Sequence, residues 1–151
     1  MSGFLSYDLF IKKTSGGNNW FTAEGGFYET FVNDTGALSV KGTIVTASSL
    51  VDNAVSIAPP FSNMPLGVIY DDGVASGSMV KVVVYGKAQV LLKNGESATR
   101  GYISLVSDTA GRMYQRADYV DEAEHSRQIG QSIETKASGS NVLSLVQLHF
   151  N

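Results

Sequence analysis

Val80-Lys81-Val82-Val83-Val84-Tyr85-Gly86-Lys87-Ala88-Gln89-Val90-Leu91-Leu92 is the longest regular stretch of this chain. Apolar or small residues take every even position (Val80, Val82, Val84, Gly86, Ala88, Val90, Leu92), while Lys81, Tyr85, Lys87, Gln89 and then Lys93 take odd ones. Successive side chains of a strand point to opposite faces, so this period of two predicts one long β-strand with a single buried face. Strands usually run to about five or six residues, so a stretch of this length is expected to bend or break. Gly86 is the natural place, because a missing side chain permits a bulge or corner.

Immediately upstream, Ala75-Ser76-Gly77-Ser78 leads into this strand, and the same four residues return as Ala137-Ser138-Gly139-Ser140 before the apolar run at 142–146. Each copy is preceded by an apolar residue joined to glycine, Leu66-Gly67 and Ile129-Gly130. Each reads as strand, Gly/Ser turn, strand. Two such hairpins within 151 residues point to a small all-β domain and leave little chain for a bulky active site.

The remaining segments extend the pattern. Leu38, Val40, Gly42 and Ile44 alternate with Ser39, Lys41, Thr43 and Val45, predicting a strand with the first four on its buried face. Further short strands are expected at 54–58, 66–70, 102–106, 112–115, 128–134 and 142–150, separated by turn residues such as Asp71-Asp72-Gly73 and Asn94-Gly95. The last strand is apolar enough that it should be paired on both sides. Residues 117–127 fit either one helical turn or an acidic loop.

Residues 1–36 differ. They hold Phe4, Tyr7, Phe10, Trp20, Phe21, Phe27, Tyr28 and Phe31, eight of the fifteen aromatics, without a sustained period of 2 or 3.6. Thr14-Ser15-Gly16-Gly17-Asn18-Asn19 divides them with linker chemistry. The expected organisation is therefore an irregular aromatic-rich N-terminal arm over 1–36 and a small β-barrel or β-sandwich over 37–151.

Composition narrows function by exclusion. A net charge of −3 with eleven scattered Lys and Arg argues against nucleic-acid binding and against a polybasic membrane anchor. Without cysteine there is no disulfide framework, thiolate zinc site or thiol nucleophile. The start of the chain lacks a signal-peptide pattern, and no apolar run reaches membrane-spanning length, so the chain reads as soluble and made in the cytoplasm.

Catalytic motifs are missing. The stretch from Gly36 to Gly42 lacks the Gly-Lys-Ser/Thr ending of a phosphate loop and opens a strand rather than a helix. His125 follows Asp121, Glu122 and Glu124, but no second cluster completes a metal site, so a solvated acidic turn is the favoured reading. His149 has no serine motif to serve and is read as a surface or interface residue. Asp71 and Asp72, adjacent in sequence, belong to a turn. The aromatics Trp20, Phe21, Phe27 and Phe31 either complete the core or dock onto a partner; exposed rings on a β scaffold would also suit a glycan.

The order of these elements resembles the small capsid decoration, or cement, proteins of tailed bacteriophages. The resemblance covers residues 65–151. It is carried by Pro65-Leu66-Gly67-Val68-Ile69, the Ala-Ser-Gly-Ser turn, the strand from Val80 through Gly86-Lys87-Ala88, Arg100-Gly101, Gly111-Arg112, Ile129-Gly130-Gln131-Ser132-Ile133-Glu134 and the final apolar strand. The arm has no counterpart in that pattern.

The resemblance implies a non-enzymatic virion protein, without cofactor or metal, that binds the outside of an assembled capsid. Its partner would be the major capsid protein, its place the capsid surface after synthesis in the host cytoplasm, and its form a homotrimer. Trp20, Phe21, Phe27, Tyr28 and Phe31 are then the expected capsid or subunit contacts, and removing 1–36 should abolish binding while the β domain stays folded. Other classes are a different virion accessory, such as a head-fibre base or tail component, or a glycan-binding β module.

Overall fold

A computed structural model describes residues 20–119 and 121–150, which form nine strands and one short helix. In chain order these are β1 (Gly26–Asn33), β2 (Ile44–Ala47), β3 (Ala54–Ile57), β4 (Gly67–Ile69), β5 (Met79–Leu91), β6 (Ile103–Val106), β7 (Met113–Arg116), α1 (Glu122–Ser126), β8 (Gln128–Ser132) and β9 (Leu143–Leu148). All nine strands belong to one mixed sheet, in which only β1 and β3 run parallel.

The thirteen-residue strand foreseen at 80–92 is β5, and the sheet is organised around it. One edge pairs with β1 from Met79 to Gly86. The other edge changes partner along its length, meeting β4 at Val82 and Val83 and then β9 from Gly86 to Leu91. The pairings β5-β1-β3-β2-β4-β5 close a ring. On the far side β9, β8, β6 and β7 follow in order, and a bridge between Leu92 and Met113 brings β7 back to the end of β5.

β5 carries a register shift two residues before Gly86, and its even positions do not share one face. Opposite β1 the register passes from Tyr85–Phe27 to Val83–Tyr28, so Val84 is an extra residue on β5. One inserted residue reverses the alternation of a strand. Val80 and Val82 therefore pack with Val45, Val55 and Ile69 in one cluster, flanked by Val84 and Phe31. Ala88, Val90 and Leu92 join Val83, Ile44, Val68, Met113, Ile129, Val146 and Leu148 in another. Gly86 makes the crossing possible: its φ is +87°, and a Cβ there would stand 2.8 Å from the Gly25 carbonyl oxygen.

Both copies of the repeated segment are antiparallel hairpins, β4–β5 and β8–β9. Their glycines serve the same purpose. A Cβ on Gly67 would lie 2.7 Å from the Val83 carbonyl oxygen, and one on Gly130 would lie 2.0 Å from that of Gln147. Each glycine lets one strand press onto the backbone of its partner. β9 lies between β5 and β8, paired on both sides as its apolar sequence required.

Two expectations need correction. Residues 26–33 are not irregular: they form β1, which pairs with β5 and β3 inside the closed ring. Its glycines and mixed polarity hid it, because its partners are supplied from far along the chain. Leu38 and Val40 are exposed, and the chain from 37 to 43 is a loop held by buried Ser39. The Ser39 hydroxyl donates to the Asp71 carbonyl at 2.7 Å and accepts from the Val74 N–H at 2.9 Å. Gly42, with φ +91°, turns the chain into β2. Residues 117–127 contain the single helical turn α1, whose N-cap Asp121 accepts from the Glu124 N–H at 2.9 Å.

Candidate functional site

Residues 20–28 fold back on themselves before β1 becomes regular. The Thr22 N–H donates to the Gly26 carbonyl at 2.8 Å, the Gly26 N–H donates to the Thr22 hydroxyl at 3.0 Å, and the Tyr28 N–H donates to the Trp20 carbonyl at 3.0 Å. The turn needs Gly25 at φ +96°, and Gly26 must lack a Cβ because one would stand 2.3 Å from the Lys87 carbonyl oxygen. Trp20 and Phe21 are thereby laid against the start of β1.

An aromatic stack results. Phe27, only 1% exposed, is its centre. Phe21 meets it edge-on at 5.6 Å, Trp20 at 6.4 Å, and Tyr85 stacks on it at 5.5 Å with the planes 29° apart. These spacings suit aromatic pairs. Tyr85 sits on the polar side of β5 in the sequence pattern, so nothing but its place beside the bulge marked it. Of the other expected contacts, Tyr28 is half-buried with the Lys81 ammonium 5.3 Å from its ring, and Phe31 packs against the core cluster of Val45, Val55 and Val80.

Two grooves flank the stack. One of about 350 Å³ is lined by Trp20, Tyr28, Glu29 and Thr30. The other, about 450 Å³, is lined by Phe27, Glu29, Pro65, Leu66, Val84, Tyr85 and Phe150. Both are surface depressions, the first of mixed polarity and the second mainly apolar. Among the described residues neither holds a nucleophile beside a base.

A third cleft, of about 320 Å³, lies near α1 and includes Phe61, Lys93, Asp108, Glu124 and Arg127. Most of its charges have structural partners: Lys93 pairs with Asp108 at 2.8 Å, Glu124 with Arg116 at 2.9 Å, and the Arg127 guanidinium lies over the Phe61 ring at 4.6 Å. The hydrogen bond to Asp108 raises the Lys93 pKa, and the same bond lowers that of Asp108. His125 lies edge-on to Tyr119 with ring centroids 5.0 Å apart, and His149 Nε2 is 3.3 Å from Gln128 Nε2. Among the described residues no group of three or more His, Asp or Glu could hold a metal ion, and no helix is long and apolar enough to cross a membrane.

No family model and no curated protein sequence matches the chain. Among solved structures it is similar to a chain of "The capsid of Myoviridae Phage XM1", at 18% identity and a TM-score of 0.54, over 84% of this chain and 85% of that one. The two chains share a fold. Coverage of 84% is about 127 residues, more than the 115 residues from 37 to 151, so the shared fold extends beyond that expected β domain. The position of β1 inside the ring gives the physical reason.

Proposed function

We propose that this protein is a non-enzymatic structural component of a tailed-phage virion that binds the outer surface of the assembled capsid and stabilises it. The observation that carries the reading is the fold shared with a chain of a phage capsid structure over most of both lengths. The absence of a convergent catalytic constellation in the grooves and cleft of the described residues agrees with it.

The mechanism is mass action. A protein that binds the assembled shell, and not its loose subunits, stabilises the shell by about 2.7 kcal/mol per site at a hundred times its Kd. Repetition over a closed lattice turns that modest figure into mechanical resistance. The major capsid protein is the proposed partner and a homotrimer the proposed form, made in the host cytoplasm and carried on the capsid surface.

The contact itself is assigned to the surface around Trp20, Phe21, Tyr28 and Tyr85. Phe27 supports that surface from beneath and Phe31 belongs to the core side of β1. Co-sedimentation with empty tailed-phage shells and with unassembled major capsid protein tests the reading. Saturable binding to shells with none to free subunits is expected. Binding to neither would refute it.

A further inference from the structure

We infer that Asn94 is a covalent modification site, poised for deamidation through Gly95 and held unreactive by a clasp centred on Arg112. The inference stands on the turn between β5 and β6, independently of any capsid. Asn94-Gly95 is the only Asn-Gly step in the chain. This pair favours the reaction because glycine has no side chain to obstruct attack on the neighbouring amide. Both residues are exposed, and a Cβ on Gly95 would meet nothing within 4 Å. Water therefore reaches the site, and neither burial nor crowding protects it.

The chemistry needs no reagent but water. The Gly95 amide nitrogen gives up its proton and bonds to the carbonyl carbon of the Asn94 side chain, while the side-chain nitrogen leaves as ammonia. The product is a five-membered cyclic imide. Water then adds to one of its two carbonyls. Cleavage at the former side-chain carbon leaves an aspartate, and cleavage at the main-chain carbon leaves isoaspartate, with one extra carbon in the backbone.

The fold opposes each part of that step. The Glu96 N–H donates to the Lys93 carbonyl at 3.0 Å, Gly95 has φ +87°, and Asn94 keeps a negative φ. This is a type II turn, which sets ψ of its second residue near about +120°. Closure of the imide requires ψ of the opposite sign. The Gly95 N–H, whose nitrogen must attack, instead donates to the Gly139 carbonyl at 3.0 Å. Asn94 Oδ1 accepts from Arg112 Nη1 at 3.1 Å and from the Asn141 N–H at 2.9 Å, so turning the side chain toward Gly95 breaks these bonds. Arg112 is fixed in turn by the Leu92 carbonyl at 3.1 Å and Asn141 Oδ1 at 2.6 Å. The second Ala-Ser-Gly-Ser segment, through Gly139 and the following Asn141, thus guards the turn after β5. Modification follows only local opening of this clasp. An aspartate can re-form both bonds, since they end on oxygen, and adds an ion pair with Arg112. Isoaspartate lengthens the turn and withdraws Gly95 from Gly139.

Peptide mapping by mass spectrometry, with isoaspartate resolved from aspartate, tests this on the full-length protein at mildly alkaline pH. Conversion at position 94 should be at least about tenfold slower in the folded chain than in the urea-unfolded one. Arg112→Met keeps an apolar stem without the guanidinium. Asn141→Gly keeps the left-handed backbone, φ +54°, and its N–H but removes an acceptor of Arg112. Each should accelerate the folded-state reaction by about tenfold, the scale set by one hydrogen bond to a charged group, and leave the unfolded-state rate unchanged. Circular dichroism checks that each variant is folded, and if Arg112→Met is not, Asn141→Gly carries the test. Equal rates in the folded and unfolded chain, no acceleration in the folded variants, or aspartate as the sole product would overturn the assignment.

Discussion

Gly130 and Gly36 separate two uses of the same residue. At Gly130 a Cβ would meet the Gln147 carbonyl oxygen at 2.0 Å, with φ at +155°, whereas at Gly36 the space is open and only the φ of +79° matters. Gly130→Ala should therefore cost more than about 3 kcal/mol by forcing β8 from β9, and Gly36→Ala about 1 kcal/mol, both read by urea denaturation. Equal costs would show that backbone approach is not what Gly130 provides. Phe27, fully buried beneath three rings, should cost about 3–5 kcal/mol as Phe27→Ala. A loss of that size places it in the scaffold rather than in the contact. The Lys93–Asp108 pair, exposed and screened, has a directional effect only. Because Asp108 is lowered, its contribution is present above the usual carboxylate range and fades as pH falls through its folded pKa. Because Lys93 is raised, its contribution is lost as pH rises through the folded lysine value. Lys93→Met should flatten both limbs of a melting-temperature-versus-pH curve; an unaltered curve would show that the pair does not couple to folding.

Among the elements, β1 decides which truncations are informative. Seven register pairs join it to β5, and without it both β5 and β3 lose a partner. Removing residues 1–36 should abolish the cooperative unfolding transition, contrary to what an independent arm would allow, while removing 1–19 leaves all nine strands' residues in place. A cooperative transition in the shorter chain lacking 1–36 would contradict the ring. β5, the two hairpins and β9 were legible because each carries its own alternation or turn chemistry. β1 was not, since Gly26, Tyr28, Glu29 and Thr30 follow no period and the strand is specified by its register against residues some fifty positions away. The bulge at Val84 was legible only as a need to bend. Its consequence, that Val82 and Ala88 serve different clusters, arises from pairing with β1, which no local pattern records. Of the site, Trp20, Phe21 and Phe27 were recognisable as an aromatic group, but Tyr85 joined them through the same long-range register.

At the scale of the whole molecule, β5 belongs to both halves of the sheet, so the closed ring and the β9-β8-β6-β7 wing share one continuous strand. The trimer proposed for this protein predicts a mass near three times 16.1 kDa by light scattering, and a monomer at working concentration would remove that part of the reading. The central claim is stabilisation of an assembled shell. Its most direct test is the disruption temperature of empty capsids titrated with this protein: the account predicts a rise that saturates as sites fill, and an unchanged temperature at saturating protein would contradict it.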